Sequence, residues 1–592
     1  MCGILGGINY LKNDLLRNWI KNTLPLMADR GPDATGHKEI NGFFFGATRL
    51  RIFDNSQKAD QPYFDEQNNN YIVFNGAILN YKTLKKELLI SGIKFQSSSD
   101  TEVVLKAYAY WGLEKTLAML RGMFAFAILD IKKNIVILAR DHFGIKPLFF
   151  LQDEKSLAFS STIKPLLLLP DYRARVNKQF LPEQFAFQCI KPPNTIYKNI
   201  YSFLPGQYAI INLLKKEKIK PHFFWKVSDC LESNALDKSV SFEELLNQVI
   251  ISSWQGDRRK GLQLSGGLDS SLIAAVSRKG FQSPINTYSI IFENKKKISF
   301  KKSEEEYMKL VNSKFDLTSH FFLFEDRQVA PILRSAILAY EMPLYSANSV
   351  LQHLHAKELK NQTELLLTGE GADDIFLGYY NNIDKQLSSV LKMYIGEKGI
   401  ESLFGKEGAH NAIHSRKEIW EDTIYKSLSF EKRLIILTVQ TILHGLLARH
   451  DRMYMSNGIE GRPVYCDLDI LNYALNTNTK NIFFNGVGKI LLKKTAEKYF
   501  DHSFIYRKKQ WLSGPVSNWC ADYDIWGKYI KSIDMEIVSE YMNPTLFNEV
   551  MRLDDNNKNK WLNKKLKIIF STLNFCTWHN TFIENDFRKF LI

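Results

Sequence analysis

The chain has little of what marks several protein classes. Its six cysteines, Cys2, Cys189, Cys230, Cys466, Cys520 and Cys576, form no CxxC pair. That scatter excludes a disulfide framework and a cysteine zinc site. No apolar run is long enough to cross a bilayer. The first residues lack a basic segment leading into an apolar stretch, so no signal peptide is expected and the default location is the cytoplasm. There is no internal repeat, no low-complexity tract and no GxxxxGK[ST] motif, which excludes a kinase-type phosphate loop. Acidic residues are in the minority, 63 Asp and Glu against 78 Lys and Arg, for a formal net charge of +15. Such an excess can attract an anionic partner. The basic residues are spread along the chain, however, and only NKKLK and ENKKKISFKK form short clusters. They read as solvated faces, with no nucleic-acid partner and no membrane partner expected.

What is present is the composition of an ordinary globular protein, 45% hydrophobic and 24% charged over 592 residues. That length predicts two domains or more. In the first ~200 residues, GFFFGATRLRIF, YIVFNGAI, FAFAILDI, NIVILAR and PLFFL are short apolar or alternating runs that predict strands. NYKTLKKELLISG and DTEVVLKAYAYWG predict helices, the second with Asp100 as N-cap and Gly112 as its stop. Together they predict an α+β sandwich. From about residue 240 strands and helices alternate, which predicts a doubly wound parallel sheet. Beyond about residue 390 the pattern is almost wholly helical. The polar stretch KVSDCLESNALDKSV is the linker between the two textures.

Three stretches carry chemistry. In MCGILGGINY, removal of the initiator Met would leave the Cys2 thiol beside a free α-amine, whose reference pKa is about 7.7–8.0. That pair is a nucleophile with its own general base. The competing reading is an incidental cysteine ahead of a buried strand. In LQLSGGLDSS a buried strand runs through a glycine turn into a helix. Gly266, Gly267 and the hydroxyls of Ser265, Ser270 and Ser271 can surround an anion. Asp269 beside it makes sense if Mg²⁺ bridges it to phosphate. LLLTGEGADD is a second strand entering a glycine loop, with Glu370, Asp373 and Asp374 crowded where ligands bind in an α/β sheet. Arg449, Asp451, Arg452, Glu460, Arg462 and Asp467 form either an ion-pair network or a ligand site. Lys489, after glycines at a helix start, can neutralise pyrophosphate charge.

SGGxDSS resembles the pyrophosphate-binding loop of the PP-loop ATP pyrophosphatases. The order MCGILG, RGPDATG, TRLRIFD, FNGAILNY, SSDTEVVLKAY, RGMFAFAILD, ARDHFGIKPLFF, LSGGLDSS, GEGADD, DRMYMSNGIEGRP and IIFSTLNFCTWHNTF resembles the glutamine-dependent asparagine synthetases of the B type, over essentially the whole chain. The resemblance implies an Ntn-hydrolase glutaminase domain, a four-layer αββα sandwich, at 2–225. It implies a linker at 226–240 and an ATP-dependent synthetase domain at 241–592, a PP-loop α/β sheet with a helical extension. Cys2 would be the nucleophile, and Asn75 and Gly76 the oxyanion donors. Arg49 and Asp100 would hold the α-carboxylate and α-ammonium of glutamine, with Asn75 also in that pocket. Leu264, Ile290, Thr368 and Gly369 would contact adenosine, and Asp269 and Asp373 would hold Mg²⁺. Glu370 would act as base at the acyl-adenylate, with Lys489 on the phosphates. Ammonia would pass between the domains through a tunnel. The implied reaction turns glutamine, ATP and aspartate into asparagine, glutamate, AMP and PPi, and the assembly left open is a homodimer. The chain departs from the family at Ala77, where a glutamate that helps bind the glutamine amino group is usual, and at Asp374, Leu377 and Ile291. These changes keep open a carboxylate acceptor other than aspartate. An RNA-modifying PP-loop enzyme and a silent binding protein are the remaining alternatives.

Overall fold

The computed structural model describes residues 2–9, 13–154, 156–232, 240–292, 304–344, 346–380, 393–507, 527, 529–552 and 555–584. The first half contains β1 (Cys2–Asn9), β2 (Ala34–Ile40), β3 (Phe43–Arg49), β4 (Tyr63–Asp65), β5 (Asn70–Ile78), β6 (Gly122–Asp130), β7 (Ile135–Arg140), β8 (Phe149–Gln152), β9 (Ser156–Ser160), β10 (Ile200–Ser202), β11 (Gln207–Asn212) and β12 (His222–Phe223). They form two antiparallel six-stranded sheets, ordered β10-β8-β9-β1-β3-β2 and β12-β11-β7-β6-β5-β4.

Alternation along the strands sets the layers. Cys2, Ile4 and Ile8 of β1 share a buried core with Val73 of β5, Ala127 of β6 and Leu138 of β7, so this core lies between the sheets. Leu5 and Phe44 face the other way, against Leu16, Trp19 and Ile20 of the helix Asn13–Thr23. On the far side, Ile72 and Phe74 pack with Leu84 and Leu88 of Tyr81–Ile90 and with Val104 of Asp100–Trp111. One consequence matters for function. Asn75 is two residues beyond Val73, so it points with Cys2 into the space between the sheets. The cap expected at Asp100 falls instead on Ser99, whose hydroxyl accepts the Thr101 N–H. Asp100 is the first helical residue, and its carboxylate is freed to accept the Ile78 N–H at 3.0 Å.

The second half is built on β13 (Lys260–Gln263), β14 (Asn286–Phe292), β15 (Thr318–Phe324), β16 (Leu365–Thr368) and β17 (Glu460–Pro463). All pairs are parallel, in the order β15-β14-β13-β16-β17. The chain winds outward from β13 through β14 to β15, then restarts at β16 on the other side. The crevice between the carboxyl ends of β13 and β16 is therefore the topological switch point, where open α/β sheets bind ligands. β17 was not expected. EGRP reads as loop by composition, yet it closes the sheet edge, fully buried. Of the linker stretch, residues 233–239 lie outside the described residues, as does the lysine cluster at 293–302. Val227 and Cys230 just before the linker gap are buried. The closing helix Asp555–Phe582 packs Trp578 against Tyr197 of the first half, its indole N–H donating to the Tyr197 hydroxyl at 2.9 Å.

The two halves meet over a buried ion cluster. Asp451, on the helix Ile442–Met455, accepts from Arg30 Nη1 at 2.9 Å and from Lys146 Nζ at 3.0 Å, both of the first half. All three side chains are at most 5% exposed. Burial alone would raise the Asp451 carboxyl, but Arg30 and Lys146 hold it at about 2. A carboxylate depressed in this way stabilises the fold above its unfolded value near 4, and that stability is lost as pH falls toward 2. Asp451→Asn leaves two buried cations short of a counter-charge and is expected to cost about 3–5 kcal/mol in denaturant unfolding. It is also expected to remove the part of the acid-range pH dependence that belongs to Asp451. A loss under about 1 kcal/mol would show that the cluster is solvated and unimportant to docking.

Candidate active sites

The first site is built on β1, β3 and β5. The Cys2 main-chain nitrogen donates to Asn75 Oδ1 at 3.3 Å, and Asn75 Nδ2 donates to Ser161 Oγ at 3.4 Å. Ser161 is held in turn by the Ile4 N–H at 3.1 Å. Gln61 Nε2 lies 3.5 Å from Cys2 Sγ, while its Oε1 accepts the Phe74 N–H at 2.6 Å. Arg30 Nε reaches the Cys2 carbonyl at 3.4 Å, so the residue that ties the thiol strand to Asp451 also touches the thiol residue. Burial pushes the Cys2 thiol up, with Arg49 among the charges that oppose this. Gly76 follows Asn75 on β5, in register with Phe124.

Arg49 pairs directly with Cys2 across β1 and β3. Its guanidinium is taken up by the chain itself. Nη1 donates to Ser56 O at 3.1 Å and Asp60 Oδ1 at 2.7 Å, and Nη2 to Phe53 O at 3.0 Å and Asp54 O at 2.9 Å. Asp100 is buried nearby on the element next to β5, and desolvation is the main cause that lifts its carboxyl to about 6. Ala77 is fully buried on β5 and brings no charge.

The second site occupies the switch point. Leu264 follows β13, Ile290 lies in β14 two residues before its end, and Thr368 ends β16 with Gly369 next. The loop between β13 and the helix Leu268–Gly280 is organised by its serines. Ser265 Oγ and Ser270 Oγ are 3.0 Å apart, and the Gly267 N–H donates to Ser265 Oγ at 3.3 Å. Gly266 has φ +75°, and a Cβ there would lie 2.9 Å from Glu304 O, so a side chain is excluded on two counts. Ser271 is fully buried on the first turn of the helix.

Across the crevice, Lys489 Nζ lies 2.6 Å from Asp269 Oδ2 and 2.6 Å from Asp373 Oδ1, so both glycine loops converge on one cation. Gly378 makes room for this pair, since a Cβ there would lie 2.1 Å from Asp373 Oδ1 and from Lys489 Cε. Leu377 before it is buried with φ +54°, a left-handed conformation that glycine adopts more readily than leucine. Glu370 Oε1 accepts from Arg449 Nη2 at 2.7 Å. Arg449 and Asp451 therefore project from one helix, one to Glu370 and the other toward the thiol domain. Arg462 pairs with Glu460 at 2.5 Å and is structural, binding Ser253 O and Gln255 O.

At the interface of the two halves lies a cavity lined by apolar residues such as Leu79, Met123, Ile145 and Val464, by His142 and Cys466, and by the charged Arg121, Arg462 and Asp467. Of its lining residues, Met123 is in register with Ala77, next to Gly76. Cys466 has its Sγ 3.8 Å from Glu370 O. Burial holds His142 at about 3, so its ring is neutral.

Arg30, Gln61, Ser161, Asp60 and Arg507 were not singled out from the sequence. Arg507 grips Gly266 O at 2.8 Å and Glu304. Their partners are distant along the chain or hidden in the loop after β3, and no spacing betrays them. Arg30 stands in the quoted RGPDATG motif, which was the one available signal.

The profile of the glutamine amidotransferase domain matches residues 1–225, and that of asparagine synthase matches residues 241–580. "Asparagine synthetase [glutamine-hydrolyzing] 3" of Bacillus subtilis is 28% identical, over 86% of this chain and 86% of that protein. "Asparagine synthetase [glutamine-hydrolyzing] 1" of the same organism is 26% identical, over 99% of this chain and 98% of its own. "Asparagine synthetase [glutamine-hydrolyzing]" of Gallus gallus is 28% identical, over 83% and 81%. With more than half of its length matched by that one profile, behind a glutamine amidotransferase domain, the chain belongs to the asparagine synthase family.

Proposed function

We propose that this protein makes asparagine from aspartate, taking nitrogen from glutamine and energy from ATP. The observation that carries the reading is the cavity at the domain interface, lined by Met123, the cross-strand partner of Ala77 on β5, and by Cys466, whose Sγ lies 3.8 Å from Glu370 O. In this reading the first domain is an Ntn-hydrolase αββα sandwich, and removal of Met1 turns the Cys2 nitrogen into the α-amine. That nitrogen already lies against Asn75 Oδ1. The amine takes the thiol proton as sulfur attacks the side-chain carbonyl of glutamine. Asn75 Nδ2 and the Gly76 N–H hold the oxyanion, each contributing about 3–4 kcal/mol to the barrier. The amine returns the proton to the departing nitrogen, and water then cleaves the thioester to glutamate.

The apolar part of the lining and a neutral His142 favour ammonia over ammonium there, because a lone charge is costly to bury; Arg121, Arg462 and Asp467 line the rest. In the second domain the acid's carboxylate attacks the α-phosphorus of ATP, and pyrophosphate leaves. Leu264, Ile290, Thr368 and Gly369 line the adenosine side. Ser265, Gly266, Gly267, Ser270 and Ser271 surround the phosphates, whose charge Lys489 offsets. Ammonia attacks the acyl carbon, Glu370 takes its proton, and AMP leaves. Asp269 and Asp373, oxygen donors that converge on Lys489 Nζ, would hold Mg²⁺. When bound it supplies charge neutralisation at the phosphates. A second reading keeps this chemistry and changes the acid. It is favoured by Leu377, buried and left-handed in the loop after Glu370.

Cys2→Ala is expected to abolish glutamine-dependent amide formation and to leave ammonia-dependent formation intact. AMP and PPi release across a panel of carboxylic acids is expected to be strongest with aspartate. Strong turnover with another acid alone would replace aspartate as the acceptor.

The Asp100 carboxyl, lifted to about 6, must be ionised to hold the glutamine ammonium. kcat/KM for glutamine is therefore expected to fall about tenfold per pH unit below that value. Asp100→Asn is expected to flatten this limb and to raise KM about 10–100-fold, the worth of a charged hydrogen bond. A profile unchanged by the substitution would remove Asp100 from the pocket.

A further inference from the structure

Arg49 is the residue expected to hold the α-carboxylate of glutamine, yet all four of its terminal N–H groups already have acceptors. Three of these are main-chain carbonyls, of Phe53, Asp54 and Ser56. The backbone bearing them is anchored to the second domain. Asp257 N donates to Ile52 O at 2.8 Å, and Arg258 Nε donates to Arg51 O at 2.9 Å. The fourth acceptor is different. Asp60 is charged and 28% exposed at its side chain, while the Arg49 side chain is 4% exposed. Asp60 also has a second cation. Arg51 Nε lies 3.1 Å from its Oδ1 and Arg51 Nη2 lies 2.7 Å from its Oδ2.

We propose that Asp60 is a resident competitor for the donor's α-carboxylate: it holds Arg49 in the empty pocket and passes to Arg51 when glutamine binds. The proposal rests on the glutaminase reading above. One carboxylate replaces another on Arg49, and Arg51 keeps Asp60 paired, so the exchange leaves no buried charge alone. The neighbouring residue limits how far the segment moves. Gln61 is pinned between the Phe74 N–H and the thiol, so the exchange is a side-chain rotation at Asp60 rather than a loop opening. Burial would raise the Asp60 carboxyl, but hydrogen bonds from Arg51 and Arg49 hold it below the usual range, so it stays an anion and competes at neutral pH. The competition appears in KM. It makes Asp60 a determinant of donor affinity, in a pocket where Ala77 has already removed one charge.

The test is glutaminase kinetics on the full chain, with ammonia-dependent amide formation as the check on folding. Asp60→Ala is expected to lower KM for glutamine threefold or more, and Asp60→Asn to lower it less. Arg51→Gln removes the second holder and is expected to raise KM. Inhibition by 4-aminobutanamide, which lacks the α-carboxylate, is expected not to tighten in Asp60→Ala. An unchanged or higher KM in both Asp60 variants would overturn the proposal, as would loss of glutaminase with ammonia-dependent activity retained. Either result would make Asp60 a brace for Arg49. A wild-type protein that does not hydrolyse glutamine would instead defeat the underlying glutaminase reading.

Discussion

Asp451 is the point on which both halves of this protein bear. One carboxylate, buried and kept ionised, receives Arg30 and Lys146 from the other domain. Two cations and one anion in a dry interface are stable only while the partners remain together. The domains are therefore fixed against each other through a group that cannot be lost without leaving charge stranded. Arg30 extends the tie to the carbonyl of Cys2, and Arg449, two residues before Asp451, extends it to Glu370. A single helix thus sets the distance between the thiol and the base proposed for the acceptor site.

Each site solves the same electrostatic problem with cations. In the second, Asp269 and Asp373 would repel each other across the crevice, and Lys489 draws them together. In the first, Arg49 is kept paired by Asp60 and by loop carbonyls. A pocket charged in both directions is costly when empty, and an internal counter-ion lowers that cost. The glycines follow the same need. Gly378 exists because the Asp373–Lys489 pair fills the space a side chain would take.

Local chemistry was the legible part of the sequence. Alternation predicted the strands of the sandwich, and strand–glycine–helix boundaries located both loops of the nucleotide crevice. Cys2, Asn75, Asp269 and Asp373 stood in motifs whose order resembles one family, Lys489 stood out by its place after glycines at a helix start, and the structure brings the last three onto one point. Non-local pairing was not legible. Asp451 and Arg30 are 421 positions apart, and Lys146 is 305 positions from Asp451, so no spacing rule connects them. The same blindness left Arg449 to Asp467 as an undivided set of charges, although Arg449 serves Glu370 and Arg462 serves the fold. Two local readings also failed for identifiable reasons. Ser99 outcompeted Asp100 as cap because the Asp100 side chain found the Ile78 N–H. EGRP became a strand because the edge of β16 needed a partner.

If the interface cavity joins the sites, nitrogen released at Cys2 reaches the acceptor without entering solvent. Amide-¹⁵N-labelled glutamine, supplied with aspartate, ATP, Mg²⁺ and an excess of unlabelled ammonium, reads this directly in the product. A joined pair of sites predicts ¹⁵N as the predominant amide nitrogen of asparagine despite the excess. Label diluted to the ratio in bulk solution would contradict it.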